Sequence, residues 1–374
     1  MQAPLQLREL NIRGPLSHVP KSIGQLKHLE KIEIVGAGLE TLPEEFFDLR
    51  SLKYLDLTRS LCLKKLPDSF GKLTNLQHIS LEGAWRLKML PNSFGNLTRL
   101  KYLSLMACSD VTISNETLGN ISALEYLDLR GCYEVKELPP QVAHQRSLEK
   151  LYLRSGLKEL PSGIGNLCNL EVLEIGGRTL KDCGIHYLPQ DLLQMNNLEI
   201  LQVQNCPLVE LPFKKAEGER ETRVALNDLD SASNNKYMFG LEKLHLFSVA
   251  IRELTFSEGV CPNLQALELH HCKQLRQIGR LCGLEKLQRF TIHFCNAVEE
   301  LPSLETLTSL EEMNVTECWD LKRIQGLGQL TKLRKLIFSD CPKIEELPDL
   351  EHLISLEVLN ARGSHHVIVT SSRA

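Results

Sequence analysis

The sequence predicts an α/β solenoid: a curved horseshoe of about fifteen repeats of 22–24 residues. A parallel β-sheet lines its concave face, and short helices, 3₁₀ turns or extended segments form its convex face. Three observations predict this. Leucines lead successive units at Leu7, Leu29, Leu52, Leu76, Leu100, Leu124, Leu148, Leu170, Leu198, Leu241, Leu264, Leu287, Leu310, Leu333 and Leu356. Within each unit apolar residues alternate with others as L-x-L, which points two side chains inward and the one between them outward. A unit this short cannot bury its own apolar face, so a continuous core needs its neighbours.

The unit beginning at Leu310 shows the pattern most plainly. Apolar residues fall at Leu310, Met313 and Val315, then Cys318, then Leu321, Ile324, Leu327 and Leu330. The next unit repeats it at Leu333, Leu336, Phe338, Cys341, Ile344, Leu347, Leu350 and Leu353. L-x-x-L-x-L-x-x-C at this period is the strand signature of leucine-rich repeats. Parallel strands stack about 4.8 Å apart.

Along the chain, the units from Leu29 to Pro212 mostly end in L-P followed by an apolar turn. Examples are Leu66-Pro67-Asp68-Ser69-Phe70-Gly71-Lys72-Leu73 and Leu90-Pro91-Asn92-Ser93-Phe94-Gly95-Asn96-Leu97. Proline fixes its own φ and disfavours helix in the leucine before it, so a helix of one or two turns is expected to open there. After Leu241 the units tighten, as in Leu301-Pro302-Ser303-Leu304, and their convex side is expected to be extended or 3₁₀. The one interruption runs over 213–240. It is rich in charge around Lys214–Arg223 and polar over Asn227–Lys236, which reads as a surface insertion in a single domain spanning 1–374. Repeats fill about 7–212 and 241–363, and 364–374 forms a tail that could add an edge strand at 364–369. Only six residues precede Leu7, so another domain is expected to cover that edge.

Composition narrows the class. Of 374 residues, 43% are hydrophobic and 24% charged, as in a folded chain, and a net charge of −4 predicts no attraction to nucleic acid or membranes. The start lacks the apolar core of a secretory signal, and no apolar run reaches transmembrane length. Seven of the twelve cysteines (Cys108, Cys132, Cys206, Cys272, Cys295, Cys318 and Cys341) sit eight residues after a leading leucine, and Cys62, Cys168, Cys183, Cys261 and Cys282 share no phase. A repeat position argues for small buried side chains rather than disulfides. All twelve thiols are therefore expected to be free, in the cytosol or nucleus.

Four segments carry a resemblance. Leu66–Leu73 and Cys341–Pro348, with Val19-Pro20-Lys21-Ser22-Ile23-Gly24-Gln25-Leu26 and Leu160-Pro161-Ser162-Gly163-Ile164-Gly165-Asn166-Leu167, look like repeats of plant intracellular nucleotide-binding disease resistance proteins. The chain resembles the leucine-rich repeat region of these immune receptors over nearly its whole length. The resemblance implies a non-catalytic sensing and autoinhibitory module. Its partners would be a pathogen effector or a guarded host protein, beside an adjacent nucleotide-binding domain. That domain is not in this sequence, because Gly71-Lys72 runs into Leu73 without the upstream glycine of a phosphate-binding loop. Two other readings compete: a cytoplasmic scaffold similar to Ras-group leucine-rich repeat proteins, and the substrate-binding part of a ubiquitin ligase. The first usually has asparagine where this chain has cysteine, and the second has longer repeats.

Outward strand positions are the expected protein-binding surface. In the N-terminal half they include Tyr54, His78, Tyr102 and Tyr126 in one column, and Asp56, Asp128 and Tyr152 in the next. Tyrosines beside carboxylates suit a protein contact, although aromatics can also ladder across strands for sheet stability. In the C-terminal half the outward residues are His245, Phe247, Glu268, His270, Arg289 and His293, with His271 and Phe294 just past the strand. His245 with Glu268, and His270 with His293, share columns in adjacent repeats. Two histidines and a carboxylate could hold a metal, but a polar contact patch is the reading taken, with no metal or cofactor. No G-x-S-x-G turn or recurrent cysteine–histidine pair points to catalysis.

Overall fold

A computed structural model describes residues 6–213, 237–281, 283–344, 350 and 352–364. Most of the insertion expected at 213–240, Cys282 and the tail after Ser364 lie outside them. The chain divides into two compact units, Met1–Gly184 and Ile185–Ala374.

In the first unit eight strands run parallel in chain order: Glu9–Arg13, Lys31–Val35, Tyr54–Asp56, His78–Ser80, Tyr102–Ser104, Tyr126–Asp128, Lys150–Arg154 and Val172–Gly176. Register is one full repeat per strand, so Tyr54 faces His78, His78 faces Tyr102, and Tyr102 faces Tyr126. The alternation does what the L-x-L pattern demands: Ile32 and Ile34 are buried, while Lys31, Glu33 and Val35 are partly exposed. The expected α-helical turns after L-P are 3₁₀ instead, at Lys21–Gln25, Glu44–Asp48, Asp68–Lys72, Asn92–Asn96 and Pro140–His144. The reason is length. Each segment has five residues between the proline and the residue that closes it, a leucine in four cases and Gln145 in the last. That residue's N–H returns three residues back, as Leu73 does to the Phe70 carbonyl at 3.1 Å. The one α-helical turn of this unit, Asn115–Leu118, begins after Ser114 where other repeats carry proline.

Beneath these turns Phe46, Phe47, Phe70 and Phe94 are fully buried, with ring centroids 5.5–5.8 Å apart from one to the next. Glycine follows the aromatic or isoleucine in three of the turns because the next repeat presses on it. A Cβ on Gly71 would meet the Ser93 carbonyl oxygen, one on Gly24 the Glu45 carbonyl oxygen, and one on Gly95 the Glu116 carbonyl oxygen.

The second unit repeats the plan with seven strands: Ile200–Gln204, Lys243–Phe247, Ala266–His270, Arg289–His293, Glu312–Thr316, Lys335–Ser339 and Val358–Asn360. Its convex side carries short strand pairs, Glu253–Leu254 with Gln277–Ile278 and Glu300–Leu301 with Arg323–Ile324, and a 3₁₀ turn at Leu327–Gln329. These shorter repeats are thus extended there, as their length predicts. At the edges of the insertion Phe213 and Met238 are fully buried, and Phe213 stacks on Phe256 with centroids 5.4 Å apart.

The cysteine column explains how one strand turns into its convex segment. Most of these thiols point back at a backbone carbonyl of the preceding repeat, as Cys108 does at Leu81 (3.1 Å), Cys132 at Leu105 (3.0 Å), Cys295 at Leu269 (3.7 Å) and Cys318 at Ile292 (3.8 Å), while Cys206 turns to Gln204 of its own strand (3.6 Å). Ser364 holds the same repeat position and donates to Phe338 O at 3.2 Å. Burial pushes the Cys108 thiol up to about 12 and the Cys132 thiol well up, so these two are protonated and chemically quiet at neutral pH. Cys62, Cys108, Cys132, Cys261, Cys272, Cys295, Cys318 and Cys341 are outside any disulfide.

Candidate functional site

One residue precedes the cysteine position in each repeat, and it sets the edge of the outward face. In most repeats, though not at Ser155 or Gly177, it takes left-handed backbone so that the chain can leave the strand. Glycine fills it at Gly14, Gly36, Gly83 and Gly131, whereas side chains occupy it at Arg59, Ala107, Asn205, Ser248, His271, Phe294, Glu317 and Asp340.

On the first unit the expected column is a continuous stack of rings. Tyr54, His78, Tyr102 and Tyr126 lie 4.0–4.3 Å apart by centroid, with planes within 13° of parallel. Tyr152 joins obliquely at 5.4 Å from Tyr126. Both ends meet a cation. Lys31 Nζ lies 5.1 Å from the Tyr54 ring centre, and the Arg130 guanidinium lies 4.5 Å from that of Tyr152. The stack matches the stability reading of the column, with ring faces spent on one another.

The neighbouring column locks this array. Tyr126 Oη donates to Asp128 at 3.2 Å, and Asp128, only 1% exposed, accepts from the Arg130 backbone N–H and from its guanidinium at 2.5–3.1 Å. Arg130 also lies 3.7 Å from Glu174, as does Arg154. Asp128 pushes Arg130 up, so the guanidinium stays charged. Asp56 has a smaller task, accepting the Thr58 N–H at 2.8 Å. Burial, with Asp128 second, pushes the Tyr126 hydroxyl up. Sequence reasoning missed Arg130, because nothing in a single repeat says that its side chain folds back over Tyr152. Its signal is the D-x-R spacing of Asp128 and Arg130, two outward positions on one strand end.

The second unit brings its predicted residues together differently. His245 pairs in register with Glu268, Phe247 with His270, and His270 with His293. Glu268 lies 3.9 Å from His245 Nε2 and 3.6 Å from His270 Nε2, and Glu317 lies 3.8 Å from His293 Nε2. Arg289 sits at the exposed start of its strand, where its charge reaches His245 and Glu268. His271 and Phe294 complete the cluster, stacked at 4.6 Å and 11°. Among the described residues no group of three or more His, Cys, Asp or Glu side chains is arranged to hold a metal ion.

Burial pushes His78, His245 and His293 down from the ordinary imidazole value. A histidine with a lowered folded pKa binds fewer protons than its unfolded counterpart just below pH 6.5, so the sign favours the folded state above that pH and penalises it below. The urea midpoint is therefore expected to fall between pH 7 and pH 5, and to fall less when His78, His245 and His293 are all replaced by glutamine.

The repeat geometry has counterparts in known families. A model of a leucine-rich repeat region matches residues 1–94 and 87–204, and a BspA type leucine rich repeat region, in six copies, matches 246–356. The chain belongs to the leucine-rich repeat family. It is similar to the disease resistance protein RPP4 of Arabidopsis thaliana, 34% identical over 183 residues, or 48% of this chain and 15% of the relative. It is also similar to the protein SUPPRESSOR OF npr1-1, CONSTITUTIVE 1 of the same plant, 30% identical over 163 residues, or 43% of this chain and 9% of that one. This leucine-rich repeat chain thus matches only a small part of the length of either relative. Among solved structures, a leucine-rich repeat protein of Leptospira interrogans matches with a TM-score of 0.66 and 26% identity, over 97% of this chain and 79% of that one. Among the described residues no helix is long and apolar enough to cross a membrane.

Proposed function

We propose that the chain is a non-catalytic protein-recognition module. On this reading it is the sensing and autoinhibitory leucine-rich repeat part of a cytoplasmic plant disease resistance protein, working beside a nucleotide-binding domain. The observation that carries the reading is the similarity to RPP4, found in a chain whose repeats resemble that receptor class. The outward faces support it. Ring edges and phenol hydroxyls, held in place by the ring stack and by buried Asp128 with Arg130, form a preorganised polar surface, which lowers the entropy lost when a protein docks. Its partner is then a pathogen effector or a guarded host protein.

The test is proximity labelling in plant cells with a biotin ligase fused to the chain. Tyr102→Phe with Tyr126→Phe keeps the ring stack and removes two hydroxyls. The wild type is expected to enrich a defined set of cytoplasmic proteins, and the double variant to label them several-fold less at equal abundance. A labelled set identical for the two chains removes the first unit's face from the reading. Enrichment of secreted or luminal proteins instead would overturn the cytoplasmic assignment.

A further inference from the structure

Ring contacts in the second unit are unlike those of the first. Instead of a flat stack, Phe247, His270, His271, His293 and Phe294 meet at 4.5–6.2 Å and mostly at steep angles, which leaves ring faces available. Two of these rings, His271 and Phe294, occupy the left-handed position with φ of 54° each, where four first-unit repeats carry glycine. Held there, a bulky residue sacrifices about 1 kcal/mol or more that glycine would not. Asn205, Ser248, Glu317 and Asp340 also carry side chains there, but stability alone gives no reason for rings in two consecutive repeats.

Charge supplies the reason. Glu268 stays ionised, held below the ordinary carboxylate range chiefly by its His270 hydrogen bond. Its own neighbours are His245, His270 and Arg289, and His245 also faces Lys243. His293 faces His270, His271 and Glu317. Near neutral pH His245 and His293, pushed down by burial, are uncharged, so the carboxylates of Glu268 and Glu317 sit beside neutral imidazoles and apolar rings. A carboxylate next to open ring faces is the environment that receives a cation.

Resting on the recognition function above, we propose that the rings around His270 and His293, with Glu268 and Glu317, receive an arginine or lysine side chain of the protein partner. Acid releases it. As pH falls below the ordinary imidazole range, His245 and His293, whose protonation burial delays, take up protons beside Glu268 and Glu317, offset their charge and repel the incoming cation.

The probe is a tri-arginine peptide, with tri-glutamate as control, titrated into the full chain while histidine ring carbon–proton signals are followed by NMR. At pH 7.5 the arginine peptide is expected to shift the His270, His271 and His293 signals and leave His78 in place, with affinity falling about tenfold by pH 5.5. Glu268→Gln with Glu317→Gln is expected to abolish the response while circular dichroism stays unchanged. Several results overturn the proposal: a response to tri-glutamate at pH 7.5, an arginine response that survives the double variant, equal shifts at His78, or no response at all. If the patch fails while tyrosine-dependent labelling persists, this inference falls and the recognition function stands.

Discussion

Phe70→Ala is expected to unfold the first unit about 3–5 kcal/mol more easily than wild type, the range for emptying a fully buried phenylalanine site. The ring is wholly buried, with Phe47 on one side at 5.8 Å and Phe94 on the other at 5.5 Å, so no water can refill the space. Tyr102→Ala gives the contrast. It too sits mid-ladder, between His78 at 4.0 Å and Tyr126 at 4.3 Å, but it is only half-buried, so its loss is expected to be about 1–2 kcal/mol. The chain's two tryptophans make the measurement local. Trp85 lies in the first unit and Trp319 in the second, both about half-exposed. With Trp319→Phe as background, Trp85 fluorescence in urea follows the first unit alone. Equal losses for Phe70→Ala and Tyr102→Ala would refute the division into a buried structural ladder and an exposed functional one.

The repeat, its period, the parallel sheet and the inward leucines were all legible in the sequence, because each follows from a periodicity that a single chain displays. Column membership was legible for the same reason: knowing that Tyr102 and Tyr126 are one repeat apart is knowing that they are neighbours. What a repeat cannot display is how far a side chain leans. Tyr126 and Lys150 share a column, yet the next ring in the array comes from Tyr152 in the adjacent column, drawn over by Arg130. The convex turns were misjudged as α-helical because proline announces a change of direction without fixing its hydrogen-bond spacing. That spacing follows from the five residues left before the next leucine. The strain at His271 and Phe294 was likewise hidden, since both residues look ordinary until the position they occupy is seen to be Gly14, Gly36, Gly83 and Gly131 elsewhere.

Gly71→Ala tests whether neighbouring repeats are packed backbone to backbone. The added methyl would reach the Ser93 carbonyl oxygen and come within 2.8 Å of the Ser93 Cβ and 2.9 Å of its carbonyl carbon. Those atoms belong to the next 3₁₀ turn, Asn92–Asn96, which is fixed by Pro91 before it and by buried Phe94 within it, so the contact cannot be relieved by a rotamer change. Overpacking of this kind costs about 2–3 kcal/mol, and here the whole turn must shift away from its neighbour. Gly36→Ala separates space from backbone conformation. Gly36 has φ of 74° and open space around a built Cβ, so alanine there loses only the left-handed preference, about 1 kcal/mol. Ala143, after buried Val142 in the turn Pro140–His144, shows that a methyl is accepted at the Gly71 position where the next repeat stands differently. The expected order of urea midpoints is therefore wild type, then Gly36→Ala, then Gly71→Ala, all read from Trp85. If Gly71→Ala unfolds no earlier than Gly36→Ala, the repeats are not in backbone contact at this turn. The glycine of the L-P-x-S-x-G pattern would then need another explanation.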